Sequence, residues 1–203
     1  MEHGVGDAMA QAVMDWNRRY EENDTPWDKG EAHPVLRDML ARDALSGRVL
    51  VPGCGAGHDV RELARHGLDV VGLDVAPLAL ERARAHRPAG SETYFLGDLF
   101  SLPPAWRGSF DGVFEHTCFC AIDPARREDY VTAASSALRP GGRLLAVFFS
   151  DPGNDGDGPP FGCTKDELDR LFAADFLLLE EHMEFSTYAE RSGRELLRLY
   201  SRV

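Results

Sequence analysis

The stretch Gly47-Arg-Val-Leu-Val-Pro-Gly-Cys-Gly-Ala-Gly-His-Asp59 constrains this chain more than any other part of it. A short apolar run, Val49-Leu50-Val51, ends in three glycines spaced by two, Gly53, Gly55 and Gly57, and the pattern then turns helical. Glycines there let the chain reverse tightly and let a ligand lie against bare backbone, because no Cβ stands in the way. About twenty residues on, a second apolar run, Val70-Val71-Gly72-Leu73, ends in Asp74. A carboxylate at the tip of the neighbouring strand is placed to accept both hydroxyls of a ribose. Together these features predict a nucleoside site at the carboxyl edge of a parallel sheet.

The spacing also narrows the nucleoside. A dinucleotide loop uses G-x-G-x-x-G so that a pyrophosphate can sit on the following helix N-terminus. Here the pattern is Gly53-x-Gly55-x-Gly57, followed by His58 and Asp59, with no Lys or Arg in the loop. An anion beside Asp59 would be repelled. A ligand without phosphates and with positive charge, such as S-adenosylmethionine, fits better.

Strands and helices alternate around this loop. Strand 48–52 leads to a helix near 57–66, strand 69–74 to a helix from Pro77 through Ala85, and strand 92–96 ends at Gly97-Asp98. Strand 110–115 precedes a helix from Asp123 or Pro124 to Leu138, which Arg139-Pro-Gly-Gly142 stops before strand 143–149. Upstream, helices are predicted over 8–22 (Ala10, Val13, Met14, Trp16, Tyr20) and over 34–45, with Pro34 at the start of the second. Alternation implies an α/β fold with a parallel sheet covered on both faces. The tail differs: a short helix Lys165–Ala173, then strands 176–184 and 194–202 joined by Ser186–Gly193, suggest an antiparallel hairpin on the sheet edge. A nicotinamide-binding sheet lacks that tail.

Composition removes several classes. The chain has 203 residues, enough for a single α/β domain. With 22 Lys plus Arg against 34 Asp plus Glu, the net charge of −12 would repel a phosphate backbone, so no nucleic-acid partner is expected. No run is apolar and long enough for a membrane span, and the N-terminus has no signal-peptide pattern. Cys54, Cys118, Cys120 and Cys163 match neither a disulfide framework nor a zinc site, so free thiols, a cytoplasmic location and no metal are expected. A monomer is the default expectation.

Three segments now carry a resemblance: Val51-Pro-Gly-Cys-Gly-Ala-Gly-His-Asp59, Val71-Gly-Leu-Asp-Val75 and Leu138-Arg-Pro-Gly-Gly142. With Asp24-Thr-Pro-Trp-Asp28, Phe119-Cys-Ala-Ile122 and Gly158-Pro-Pro-Phe161, the chain resembles class I S-adenosylmethionine-dependent methyltransferases. More narrowly it resembles the thiopurine S-methyltransferase family, including its halide/thiol methyltransferase branch, from about Trp16 to Val203. The resemblance implies a Rossmann-like, seven-stranded, mostly parallel sheet with a C-terminal antiparallel hairpin and an N-terminal helical cap. Residues 1–46 would form the cap and 47–203 the methyltransferase domain. It also implies a small soft acceptor, most simply a thiol, with S-adenosyl-L-homocysteine as the second product. An O- or N-methyltransferase on the same scaffold, or a non-catalytic cofactor-binding protein, are the alternatives.

The resemblance assigns cofactor positions to Trp16, Tyr20, Trp27, Gly53, Asp74, Asp98 and Leu99. His116 falls where relatives carry Arg or Tyr near cofactor or substrate; it is the one candidate for a base or an orienting group, while a lone histidine after a strand reads first as a satisfied structural residue. Read without the resemblance, Trp16 and Tyr20 are the buried side of an amphipathic helix, while Trp27, after Pro26, is open to either reading. Arg126 and Arg127 open the helix after strand 110–115 and read first as a solvated first turn, with attraction of an anionic acceptor as the functional alternative. Segment 150–160, rich in Gly, Pro and Asp, reads as a mobile substrate lid, since Asp151, Asp155 and Asp157 lack the closing glutamate of a calcium loop.

Overall fold

The computed structural model describes residues 14–154 and 156–203. Residues 8–13 of the first predicted helix, with Ala10 and Val13, and Asp155 lie outside them. Seven strands form one sheet: β1 (Arg48–Pro52), β2 (Asp69–Asp74), β3 (Ser91–Leu96), β4 (Phe110–His116), β5 (Leu138–Phe149), β6 (Phe176–His182) and β7 (Glu195–Arg202). The helices are α1 (Trp16–Glu21), α2 (Val35–Leu40), α3 (His58–Arg65), α4 (Pro77–Arg84), α5 (Arg127–Ala137) and α6 (Lys165–Phe172).

The strand order is β3-β2-β1-β4-β5-β7-β6. The first five strands pair in parallel, and β7 runs antiparallel to both β5 and β6. The predicted fold class is therefore the observed one, with one detail the sequence left open: β7 inserts between β5 and β6. From β1 the chain winds outward through β2 and β3, then crosses back to β4 and β5. The reversal leaves a crevice at the carboxyl ends of β1 and β4, where ligands of such sheets bind.

Two apolar clusters sandwich the sheet. One gathers Tyr130, Val131 and Ala134 of α5 with Leu168 and Phe172 of α6; the other gathers Leu36 and Met39 of α2 with Val60 and Leu63 of α3. Strand β1, with Val49 and Leu50 wholly buried, belongs to both faces, as a continuous apolar run should.

Boundaries moved where turn signals were read too strongly. Strand β5 begins at Leu138 rather than 143, because Leu138 pairs with Phe110 before a register shift re-aligns Gly112 with Arg143. The predicted helix from 123 starts instead as a tight turn over Pro124–Arg126, capped by Asp123, and becomes α-helical at Arg127.

Candidate active site

Gly53, Gly55 and Gly57 all adopt the left-handed region, with φ of +59°, +53° and +73°. Space demands glycine as well: a Cβ on Gly53 would stand 3.0 Å from Cys118 Cβ, and one on Gly57 2.6 Å from Tyr94 Oη. The loop they make presents bare backbone to the crevice. Asp74 ends β2 beside it. Its Oδ2 accepts the Gly55 N–H at 2.8 Å and its Oδ1 that of Ala76 at 2.9 Å. Burial pushes this carboxyl above its ordinary pKa and the backbone donors oppose that push. Each oxygen keeps a lone pair for a further donor, which suits a vicinal pair of hydroxyls.

A cavity of about 390 Å³ opens over the crevice, and Trp16, Tyr20, Trp27, Gly53, Asp74, Asp98 and Leu99 all line it. Trp27 Nε1 donates to Tyr20 Oη at 3.2 Å, and both Trp16 and Tyr20 meet the Trp27 ring edge-on. Tyr20 is also packed against Ala76 and Ala79, so one side chain is core on one side and cavity wall on the other. Asp98 caps the turn Leu99–Ser101 through the Phe100 N–H at 2.9 Å. The Leu99 amide, first in that turn, has no carbonyl of its own turn to bond. Arg61, one turn into α3, is spent on the Ala56 carbonyl and on His58, so it offers no phosphate ligand.

The cavity continues to residues that the sequence reading had not picked out. Phe149 ends β5, three strands along the sheet from Asp74, about 14 Å at the usual strand spacing. Arg191 and Arg194 stand over its ring, with guanidinium carbons 4.9 and 5.6 Å from the centroid, and all three line the cavity. An ion pair between Lys29 and Glu190, at 2.9 Å, joins the segment after Trp27 to the turn before β7 across the rim. Nothing periodic marks Arg191 or Arg194; they lie in a loop whose place depends on how the hairpin docks.

Arg127 departs from expectation. It is buried, with Nη1 on Glu167 at 2.7 Å and Nη2 on the Gly162 carbonyl at 2.9 Å, so it anchors the end of the loop after β5 rather than meeting an acceptor. Arg126 lies 3.7 Å over the Phe100 ring. That loop brings Pro159 and Pro160 to the cavity, and Arg194 Nε holds its start through the Asp151 carbonyl at 2.7 Å. Bound S-adenosylhomocysteine should therefore slow protease cleavage within 150–160; cleavage at an unchanged rate would remove the lid role.

His116 sits as a partnered structural histidine would. It is absent from the lining of the main cavity and borders a cleft of about 40 Å³ behind the glycine loop. Asp59, expected to face the ligand, instead turns inward: its Oδ2 takes His116 Nδ1–H at 2.8 Å and its Oδ1 the His33 N–H at 2.7 Å. With one ring nitrogen committed and the ring buried, His116 is out of reach as a base. Burial pushes the Cys118 thiol well up and that of Cys120 to about 12, so both cavity-lining cysteines stay protonated.

The family model for thiopurine S-methyltransferase matches residues 11–196. A "Thiocyanate methyltransferase 1" of Brassica oleracea is 32% identical over 196 residues, covering 93% of this chain and 84% of that protein. A "Probable thiol methyltransferase 2" of Arabidopsis thaliana is 35% identical over 161 residues, covering 77% and 70%. In fold, the chain is similar to the crystal structure of Burkholderia thailandensis 1,6-didemethyltoxoflavin-N1-methyltransferase, which holds 1,6-didemethyltoxoflavin and S-adenosylhomocysteine. That match has TM-score 0.73 and 20% identity, and covers 100% of this chain and 92% of the other.

Proposed function

Because the chain belongs to the thiopurine S-methyltransferase family and is an S-adenosylmethionine-dependent methyltransferase of thiol-type acceptors, we propose that its acceptor binds as an anion between Phe149, Arg191 and Arg194. One observation carries this reading: two guanidiniums stack over one aromatic ring on the cavity wall, about three strands from the ribose acid.

In this reading Asp74 accepts the ribose hydroxyls, Asp98 and the Leu99 amide take the adenine edge, and Gly53 lets the amino-acid part lie on backbone. Trp16, Tyr20 and Trp27, from the cap ahead of residue 47, close over the cofactor and exclude water. Their ring faces favour a positive sulfur by about 0.5–2 kcal/mol each. When bound, S-adenosylmethionine supplies a methyl group already activated by its sulfonium. The chain's own part is then position and desolvation.

A general base is not required. A thiol of ordinary pKa near 8.5 is a few per cent thiolate at neutral pH. Arg191 and Arg194 favour the anion further by their charge, and thiocyanate needs no deprotonation at all. The free thiols of all four cysteines support a reducing, cytoplasmic setting. The net charge of −12 supports a small acceptor over nucleic acid.

The test is a panel of thiophenol, a thiopurine, thiocyanate, a phenol and an amine with S-adenosylmethionine, scored for S-adenosylhomocysteine. Turnover is expected for the first three. If only the phenol or the amine reacts, the anionic sulfur acceptor is wrong.

A further inference from the structure

Directly behind the Arg191 wall, Asp59, His116, Arg191, Glu195 and His33 close into one hydrogen-bonded chain, although they come from α3, β4, the turn before β7, β7 and the segment before α2. His33, His116, Arg191 and Glu195 are all buried. The donor and acceptor roles are set along the whole chain. His33 Nδ1 accepts the Val35 N–H at 3.2 Å, so its proton sits on Nε2 and is donated to Glu195 Oε2 at 3.2 Å. Thr187 Oγ1 donates to the same oxygen. Arg191 Nη1 donates to Glu195 Oε1 at 3.0 Å and meets His116 Nε2 at 3.4 Å. A guanidinium can only donate, so His116 Nε2 accepts and its proton lies on Nδ1, toward Asp59 at 2.8 Å.

Two carboxylates stay charged in this setting. Burial opposes ionisation of Glu195, but the hydrogen bonds from His33, Thr187 and Arg191 outweigh it and hold the carboxyl at about 2. Burial likewise opposes the Asp59 charge and is outweighed by His116 and the His33 amide. Burial keeps His33 below its ordinary pKa, hence neutral.

His33, His116 and Glu195 lie close enough to suggest a metal site. Their hydrogen bonding argues otherwise. A metal on His33 Nε2 would force the ring proton onto Nδ1, against the Val35 N–H, and the Arg191 guanidinium already stands between the other two donors.

We propose that His116 and Glu195 are positioning residues that clamp Arg191 Nη1 from both sides and so aim the remaining edge of its guanidinium at the acceptor. This rests on the reading of that cavity end as an anion site. Among the described residues both side-chain hydrogen bonds of Arg191 use Nη1, which leaves Nε and Nη2 for the acceptor. An unclamped arginine would lose many rotamers on binding, and the clamp removes that loss before the acceptor arrives. Asp59, two residues past Gly57, ties the clamp to the first turn of α3, so acceptor wall and cofactor loop share one support.

The experiment compares wild type, His116→Leu, His116→Gln and Glu195→Met. It measures kcat and KM for thiocyanate, Kd for S-adenosylhomocysteine by calorimetry, and the Arg191 side-chain signals in ¹H–¹⁵N spectra. His116→Leu should raise KM at least tenfold while kcat and Kd stay within threefold. His116→Gln, which offers one acceptor to Arg191 and one donor to Asp59, should restore KM to within threefold. Glu195→Met, close in size but without an acceptor oxygen for Arg191 Nη1, should raise KM as His116→Leu does and serves if the leucine variant does not fold. The Arg191 guanidinium signal should be resolved in wild type and exchange-averaged in His116→Leu. A wild-type KM in His116→Leu, equal losses of KM and Kd, or no rescue by glutamine each overturns the clamp. If wild type turns over no sulfur acceptor while the Arg191 signal behaves as described, the clamp stands and the acceptor assignment is what fails.

Discussion

Replacing Asp74 by alanine should weaken S-adenosylhomocysteine binding by about tenfold to a hundredfold, since hydrogen bonds to a charged acceptor contribute roughly 1.5–3 kcal/mol net. Two effects add. The ribose hydroxyls lose their acceptor, and the Gly55 and Ala76 amides lose the carboxylate that holds the glycine loop against the end of β2. Asp74→Asn separates them only in part, because one amide position becomes a donor and cannot accept the Gly55 N–H. Binding should also weaken as pH falls through the carboxyl's raised pKa, since the protonated group has less capacity to accept. Calorimetry returning the wild-type Kd for Asp74→Ala would remove the residue from the site.

The largest loss of stability is expected at Glu115. It is 1% exposed; its Oε1 accepts the Cys118 and Phe119 amides at 2.9 and 2.7 Å, and its Oε2 accepts Tyr130 Oη at 2.5 Å. Alanine there leaves three buried donors without a partner, at about 1–3 kcal/mol each, so Glu115→Ala should cost about 3–9 kcal/mol. Most substitutions cost far less. Glutamine keeps an oxygen for the amides and can donate to Tyr130, so Glu115→Gln should fall well short of the alanine loss. Urea midpoints measure both, and an unchanged midpoint for the alanine variant would mean that the carboxylate does not hold the turn. That turn matters to the cavity: Thr117, a non-glycine residue at φ +64°, and Cys118 both line it.

The sign of the pH effect separates Glu115 from Glu195. Burial raises the Glu115 carboxyl from 4.5 to about 7, opposed by Tyr130 and the two amides. The folded state therefore holds the proton longer, and this group's contribution declines as pH rises from 4.5 to about 7. Glu195, held at about 2, does the reverse: its contribution is present above 4.5 and is lost as pH falls through about 2. Glu115→Gln should flatten the first slope and leave the second.

The glycine-loop half of the cavity was legible because its residues sit at strand ends, and strands announce themselves locally. Val49-Leu50-Val51 before Gly53, and Val70 to Leu73 before Asp74, place Gly53 and Asp74 side by side once β1 and β2 pair, whatever else the chain does. The docking of the hairpin was not legible. Strand β6, Phe176-Leu-Leu-Leu-Glu-Glu-His182, is more apolar at its start than β7, yet β6 is the edge strand with Leu177 58% exposed, and β7 lies inside. The inner place is open to β7 because its charges find partners there: Arg198, fully buried, reaches Glu181 at 2.6 Å and Asp169 at 2.8 Å, and Glu195 meets Arg191 and His33. Pairings of that kind decide burial and leave no trace in local hydropathy.

By itself, the order of residues determined an alternating α/β sheet, a glycine turn too tight for any side chain, an acid beside it and a loop without phosphate ligands. Those follow from short-range sterics and periodicity. Only tertiary structure decided that Arg191 and Arg194 reach the cavity, that Arg127 and Asp59 turn inward, and that His33 meets Glu195 across 162 positions of sequence. Contacts so far apart are set by which strand docks beside which, and that choice belongs to packing and charge pairing over the whole sheet.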